Sequence, residues 1–128
     1  MLGPMKSLED LVDLYCEAWS TSSASEREQL VRETLTADAT YCDPRTEPMP
    51  LDGLLAHIAK IQSERPGARV VRTSNIDIHH NFARFHWCVM LPDGTRLPEG
   101  IDVIELSSDG QRIQRIIGFF GPLKARSA

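Results

Sequence analysis

The sequence predicts an α+β domain: three helices followed by an antiparallel meander. Two observations carry this. Apolar residues recur at helical spacing in three segments before residue 66, and beyond residue 68 the chain turns to β-branched and aromatic runs separated by turn residues. The first helix opens on a capping pair, Ser7 and Asp10, and carries Leu8, Leu11, Val12, Tyr15 and Trp19 as one stripe. Small polar residues from Thr21 to Ser25 end it. Ser25 with Glu28 reads as a capping box for a second helix running to about Leu35. Thr40-Tyr41-Cys42-Asp43-Pro44 is a brief extended stretch, and Pro44, Pro48 and Pro50 crowd the loop after it. A third helix spans about Leu51 to Arg65, buried through Leu54, Leu55, Ile58 and Ile61, and Pro66-Gly67 stops it. Four strands follow: Arg69 to His79, Phe82 to Leu91, Gly100 to Leu106 and Arg112 to Phe120. Asn81, Pro92-Asp93-Gly94 and Ser107 to Gly110 are the turns between them.

Size and composition bound the function. A chain of 128 residues, 41% hydrophobic and 25% charged, fits one domain with a continuous core. Residues 7–122 are expected to form it, between short flexible ends at 1–6 and 123–128. The net charge is −4 and the 14 basic residues are scattered, which argues against nucleic acid or an anionic membrane as the main partner. No apolar run approaches the roughly 18 residues of a membrane span, and the start lacks the apolar stretch of a secretory signal. Cys16, Cys42 and Cys88 are odd in number and form no CxxC pair, so a reducing cytoplasm is the expected setting.

The residues that can carry chemistry are few. Asp102 lies between Ile101 and Val103 and shares a strand face with Ile104 and Leu106, the face turned to the helices. A carboxyl group there must be hydrogen-bonded or protonated, and desolvation raises its pKa; the plainer reading is a structural aspartate held by a turn or an arginine. Asp43 precedes Pro44 and reads equally well as a turn starter. Tyr15, on the first helix stripe, reads equally well as core. His57, His79, His80 and His86 raise the question of a metal, but strand alternation puts His79 and His80 on opposite faces and no HxxxH or HxH spacing exists, so no metal site is expected. Cys88 reads as core. Phosphate loops and Ser/His/Asp signatures are absent. Phe85, Trp87 and Val89 share one strand parity, and Ile116, Gly118 and Phe120 share another; turned inward, they line an apolar pocket. Both faces of the last two strands carry large apolar residues, so a second copy of the chain is expected to cover the outer face as a homodimer.

The order of elements, Tyr41-Cys-Asp43-Pro44 ahead of a Gly53-containing helix, Gly100-Ile-Asp102 in a strand and the ending Gly118-Phe-Phe-Gly121 resemble the NTF2-like superfamily. Within it the chain is most similar to SnoaL-like and ketosteroid-isomerase-like proteins, over about residues 7–122. The resemblance implies an NTF2-like cone, with the three helices packed on a strongly curved, mainly antiparallel sheet. It also implies an aspartate base at Asp43, with Tyr15 and a protonated Asp102 as oxyanion donors; that pKa logic is a worked case of ketosteroid isomerase. Trp19, Tyr41 and Trp87 would join the pocket wall and hold it below steroid size, and Arg45 and Glu47 would either enter its mouth or neutralise Asp43. The expected function is isomerase or cyclase chemistry on a small, largely apolar carbonyl compound without a cofactor. The alternatives are a non-catalytic ligand-binding or dimerisation module with structural aspartates, and, more distantly, a transport-factor-like site for a protein partner. Geometry separates them: the acid/base reading requires Tyr15, Asp43 and Asp102 to open into one cavity.

Overall fold

The computed structural model describes residues 5–127; residues 1–4 and 128, within the expected flexible ends, lie outside the described residues. The chain order is α1 (Leu8–Ala18), α2 (Ala24–Thr34), β1 (Leu35–Asp43), β2 (Thr46–Pro50), α3 (Leu51–Glu64), β3 (Arg69–Arg72), β4 (Asp77–His79), β5 (Phe82–Met90), β6 (Gly100–Leu106) and β7 (Ile113–Phe120). The strands form one curled sheet in the order β2-β1-β7-β6-β5-β3, with β4 pairing β5 beyond β3. This is the α+β cone expected, with one change of topology. β1 runs parallel to β7, so the sheet is mixed rather than a pure meander.

The concave face carries the core. Leu11, Val12 and Tyr15 of α1, Leu30 and Val31 of α2, and Leu54 and Ile58 of α3 pack on Ala39, Tyr41, Ala83, Phe85, Ile104, Leu106, Ile113 and Ile116 of the sheet. β6 alternates strictly, with Asp102, Ile104 and Leu106 buried on the helix side. The alternation in β7 slips where Glu105 faces Arg115 but Leu106 faces Ile113, an irregularity that lets both Ile113 and Ile116 point inward.

Several local expectations are corrected. Ser23, not Ser25, caps α2: Ser23 has extended geometry and its Oγ accepts the Glu26 N–H at 3.2 Å, while Ser25 already lies in the first turn. The extended stretch at 40–44 is the end of a longer strand, and the proline-crowded loop is itself β2, paired antiparallel to β1 at the sheet edge where prolines are tolerated. The strand expected from 69 to 79 is two strands. Between them the Ser74 hydroxyl, rather than a main-chain carbonyl, accepts the His86 N–H at 2.8 Å. His79 and His80 are not on opposite faces of one strand, because His80 turns left-handed at φ 52° in the β4–β5 hairpin and its Nδ1 lies 3.1 Å from that of His79. Among the described residues no cluster of three or more His, Cys, Asp or Glu side chains is placed to hold a metal, and no helix is long and apolar enough to cross a membrane.

Ser23→Ala is expected to lower stability by about 1 kcal/mol in chemical denaturation, and Ser25→Ala by clearly less. Equal losses would contradict the cap assignment.

Candidate active site

Between α1, the C-terminal end of α3 and the concave face of the sheet lies a cavity of about 380 Å³. That is within the usual range for small-molecule sites. Tyr15, Trp19, Tyr41, Asp43, Trp87, Val89, Asp102 and Phe120, all singled out from the sequence, line it. Phe85 and Ile116 do not. Both point to the same face but sit deeper along their strands, at 2% and 0% exposure, where the helices close over the sheet and leave no space.

Asp102 is 7% exposed. In register it stands between Phe85 of β5 and Gly118 of β7. Its partner is neither a turn nor an arginine: the Trp87 indole Nε1–H donates to Oδ1 at 2.9 Å. Two glycines make this possible. Gly100 faces Trp87 across the strands, and a β-carbon there would overlap the indole and come within 2.7 Å of the Phe119 carbonyl oxygen. Without it the indole lies across β6 and reaches the carboxyl group. At Gly118 a β-carbon would stand 3.1 Å from Asp102 Oδ1 and 3.5 Å from the Asp43 Cβ. The two aspartates therefore flank one bare backbone position. Burial pushes the Asp102 carboxyl up to about 7, the indole hydrogen bond works against that rise, and the Asp43 charge adds to it.

Asp43 ends β1 just before the β1–β2 turn. Its Oδ2 accepts the Tyr41 hydroxyl at 2.6 Å and its Oδ1 accepts the Arg45 N–H at 2.8 Å, an Asx turn of the kind Asp-Pro favours. The His57 Nε2 of α3 lies 3.8 Å from Oδ2, buried and without a hydrogen-bond partner among the described residues. Burial raises the Tyr41 hydroxyl far above its ordinary pKa, so it remains a donor to the carboxylate.

Tyr15 projects from the buried stripe of α1. Among the described residues its hydroxyl has no hydrogen-bond partner. Burial first, and the nearby Asp102 second, hold it well above the ordinary tyrosine range. Trp19 packs edge-on to Tyr15 and His57 and against Tyr41, so the aromatic wall spans both sides of the acidic floor. The wall is anchored by polar contacts. Gln62 Nε2 donates to the Trp19 and Ala68 carbonyls at 2.7 and 2.9 Å, and the Ser20 hydroxyl accepts the Val70 N–H at 2.9 Å.

Sequence reasoning missed Ile61, Gln62, Ala68, Val70, Leu97, Pro98 and Gly100 of the lining, and the charged Glu64, Arg65 and Arg69 at the open end. Their positions depend on how the end of α3 and the loop before β6 meet over the sheet, which no local pattern encodes. The polarity of Gln62 on an otherwise apolar helix face was the one available signal. Arg45, expected near the mouth, does line it, with its guanidinium 5.6 Å from the centre of the Phe120 ring; Glu47 does not.

Asp102 titrates above its unfolded-state value, so ionisation opposes folding between about pH 4 and about 7. Asp102→Asn removes this penalty. The variant is expected to gain stability relative to the native protein as pH rises from 4 to 8, by up to roughly 4 kcal/mol at about 1.36 kcal/mol per pKa unit, read by denaturant unfolding. A pH-independent difference would contradict burial of an ionisable carboxyl group. Gly100→Ala is expected to displace the indole, seen as a shift of the Trp87 N–H resonance; an unchanged resonance would show that the strand has room.

No protein-family model matches the sequence, and no curated protein matches it. Solved structures do. A candidate isomerase of the SnoaL-like family from Agrobacterium tumefaciens is 31% identical, with a TM-score of 0.79 over 88% of this chain and 95% of its own. A candidate SnoaL-like polyketide cyclase from a Jannaschia species is 15% identical, with a TM-score of 0.67 over 93% and 89%. A protein of ketosteroid isomerase-like fold from Catenulispora acidiphila, in complex with trimethylamine, is 13% identical, with a TM-score of 0.69 over 88% and 85%. The last two share the fold. The first, at its identity and coverage, fixes the kinship: the chain belongs to the SnoaL-like family of NTF2-like proteins.

Proposed function

We propose that the cavity is a cofactor-independent acid/base site for a small, largely apolar carbonyl compound, with isomerase or cyclase chemistry. The reading rests on one observation: Tyr15, Asp43 and Asp102 line the same cavity. Asp43 removes a proton α to the carbonyl. Negative charge then gathers on the carbonyl oxygen, where the Tyr15 hydroxyl and the protonated Asp102 carboxyl donate hydrogen bonds. The unpartnered Tyr15 hydroxyl supports this role, since a buried donor without an acceptor is costly and a substrate oxygen would satisfy it. Trp87 supports it as well: by donating to Asp102 Oδ1 it leaves the other oxygen to carry the donated proton. Asp43 then returns its proton to another carbon of the substrate, which is an isomerisation. Alternatively, the enolate carbon attacks a second carbonyl, whose π bond breaks to an alkoxide that takes up the proton held by Asp43, which is a cyclisation.

One observation favours the other reading, a ligand-binding or dimerisation module with structural aspartates. Both Asp43 oxygens already accept hydrogen bonds. Each retains a free lone pair, so the bonds orient the base without blocking it.

For the outer sheet face we propose a second copy of the chain. Phe82 and Phe119 are exposed there, and Phe82 borders a shallow hollow of about 270 Å³. Light scattering at micromolar concentration is expected to return twice the 14.3 kDa chain mass; a monomer mass would sink the dimer.

Exchange of α-protons of cyclic ketones into heavy water, followed by NMR, tests the chemistry. Asp43→Asn is expected to slow enzyme-dependent exchange by about 10²–10⁴-fold, and Tyr15→Phe or Asp102→Asn by about 10²-fold. The native rate is expected to fall as pH rises through about 7, because Asp102 loses its donated proton there. Undiminished exchange in Asp43→Asn would falsify the assignment of the base.

A further inference from the structure

The cavity is electrically polarised from end to end. Its inner end is acidic: Asp43 and Asp102 are buried there with Tyr15 and Tyr41. Its outer end is basic: Arg45, from the β1–β2 turn, and Arg65 and Arg69, from the end of α3 and the start of β3, line the opening with exposed side chains, against a single Glu64. Four arginines elsewhere on the surface are matched by a carboxylate. Arg32, Arg72, Arg84 and Arg115 each lie within 4.0 Å of a carboxylate oxygen, whereas among the described residues no carboxylate lies that close to Arg45, Arg65 or Arg69. In a chain of net charge −4, three arginines without such a carboxylate partner, from separate elements, line the apolar cavity with exposed side chains. Arg45 is also positioned, since its guanidinium sits over the Phe120 ring at the rim.

We infer that the substrate is an apolar carbonyl compound bearing a carboxylate at the end opposite the reacting carbonyl, held by these arginines. The inference rests on the proposed carbonyl chemistry and adds the substrate's charge and orientation. An arginine fork matches a carboxylate in two parallel hydrogen bonds, and a cation over an aromatic ring keeps those donors free. The acidic inner end repels an anion, so the charged group stays at the rim and the carbonyl is delivered to the floor. A cavity of about 380 Å³ takes a body of two fused rings and leaves the carboxylate at the opening.

The test uses matched probes on the full chain: 2-naphthoate, its neutral ketone analogue 2-acetonaphthone, and 2-naphthyl phosphate. Both tryptophans of the chain, Trp19 and Trp87, line the cavity, so their two indole N–H resonances report occupancy. Naphthoate is expected to bind about tenfold or more tightly than the ketone at about 50 mM salt, the advantage shrinking at about 500 mM. In the Arg45→Gln, Arg65→Gln, Arg69→Gln triple variant the advantage is expected to disappear, with the unliganded indole resonances unmoved as proof of an intact cavity. Equal binding of naphthoate and ketone, or an advantage that survives in the triple variant, overturns the inference while leaving the carbonyl site standing. Tighter binding of the phosphate than of naphthoate overturns the carboxylate assignment. Binding by none of the three overturns both this inference and the small-molecule site on which it rests.

Discussion

A carboxyl group on the concave face of a sheet, roofed by helices, has two ways to exist: paired with a cation, or neutral with a hydrogen-bond partner. Asp102 leans to the second: burial pushes its carboxyl group up to about 7, so it holds its proton over a wider pH range than an exposed aspartate. Among the described residues no arginine forms an ion pair with it, and the one side-chain donor to it is the indole of Trp87. A neutral donor on a desolvated carboxyl group offsets only part of the burial cost, which is why the group titrates near 7 rather than near 4. Much of the local architecture follows. Gly100 is bare so that the indole can cross β6, and Gly118 is bare so that two aspartates can share one backbone position. Trp87 is thereby fixed as the wall of the cavity as well as the partner of its floor.

The rest of the fold holds the roof at a distance. If α1 and α3 packed fully onto the sheet, Asp102 would be buried in a solid core, as Phe85 and Ile116 are. They stand off at one end. Gln62 ties α3 to the end of α1, Ser20 ties α1 to β3, and Arg72 grips Asp13 of α1 through a bidentate pair at 2.8 and 3.2 Å. These polar ties replace apolar packing where the cavity opens, so the space stays open although its walls are apolar and aromatic. The opening then collects charge that the interior cannot carry.

Much of this was legible in the sequence, for reasons that vary by element. The helix stripes and the strict alternation of Ile101 to Leu106 encode their own buried faces, so Tyr15 and Asp102 were placed correctly by spacing alone. The split of the third-strand region was hidden, because a serine hydroxyl substitutes for a carbonyl at one point and leaves no break in β propensity. β2 was hidden behind its prolines, which local rules read as loop but an edge strand accepts. Residues chosen by face line the cavity where the sheet opens and lie in solid core where it is roofed: face is a property of a strand, whereas cavity lining is a property of the distance between layers. Trp87 as the partner of Asp102 was beyond reach, since the pair is diagonal across two strands and depends on a glycine whose role appears only in register.

The proposed chemistry depends on a protonated Asp102 at the floor of the cavity. Carbon-detected NMR titration of its side-chain carboxyl group in the native protein reads that state. A midpoint near 7 is expected, with the Trp87 indole resonance moving in the same transition as its hydrogen bond changes partner charge. A midpoint near the ordinary aspartate value of about 4 would contradict it. The carboxylate would then be ionised throughout the physiological range, and it could not donate a hydrogen bond to a developing oxyanion.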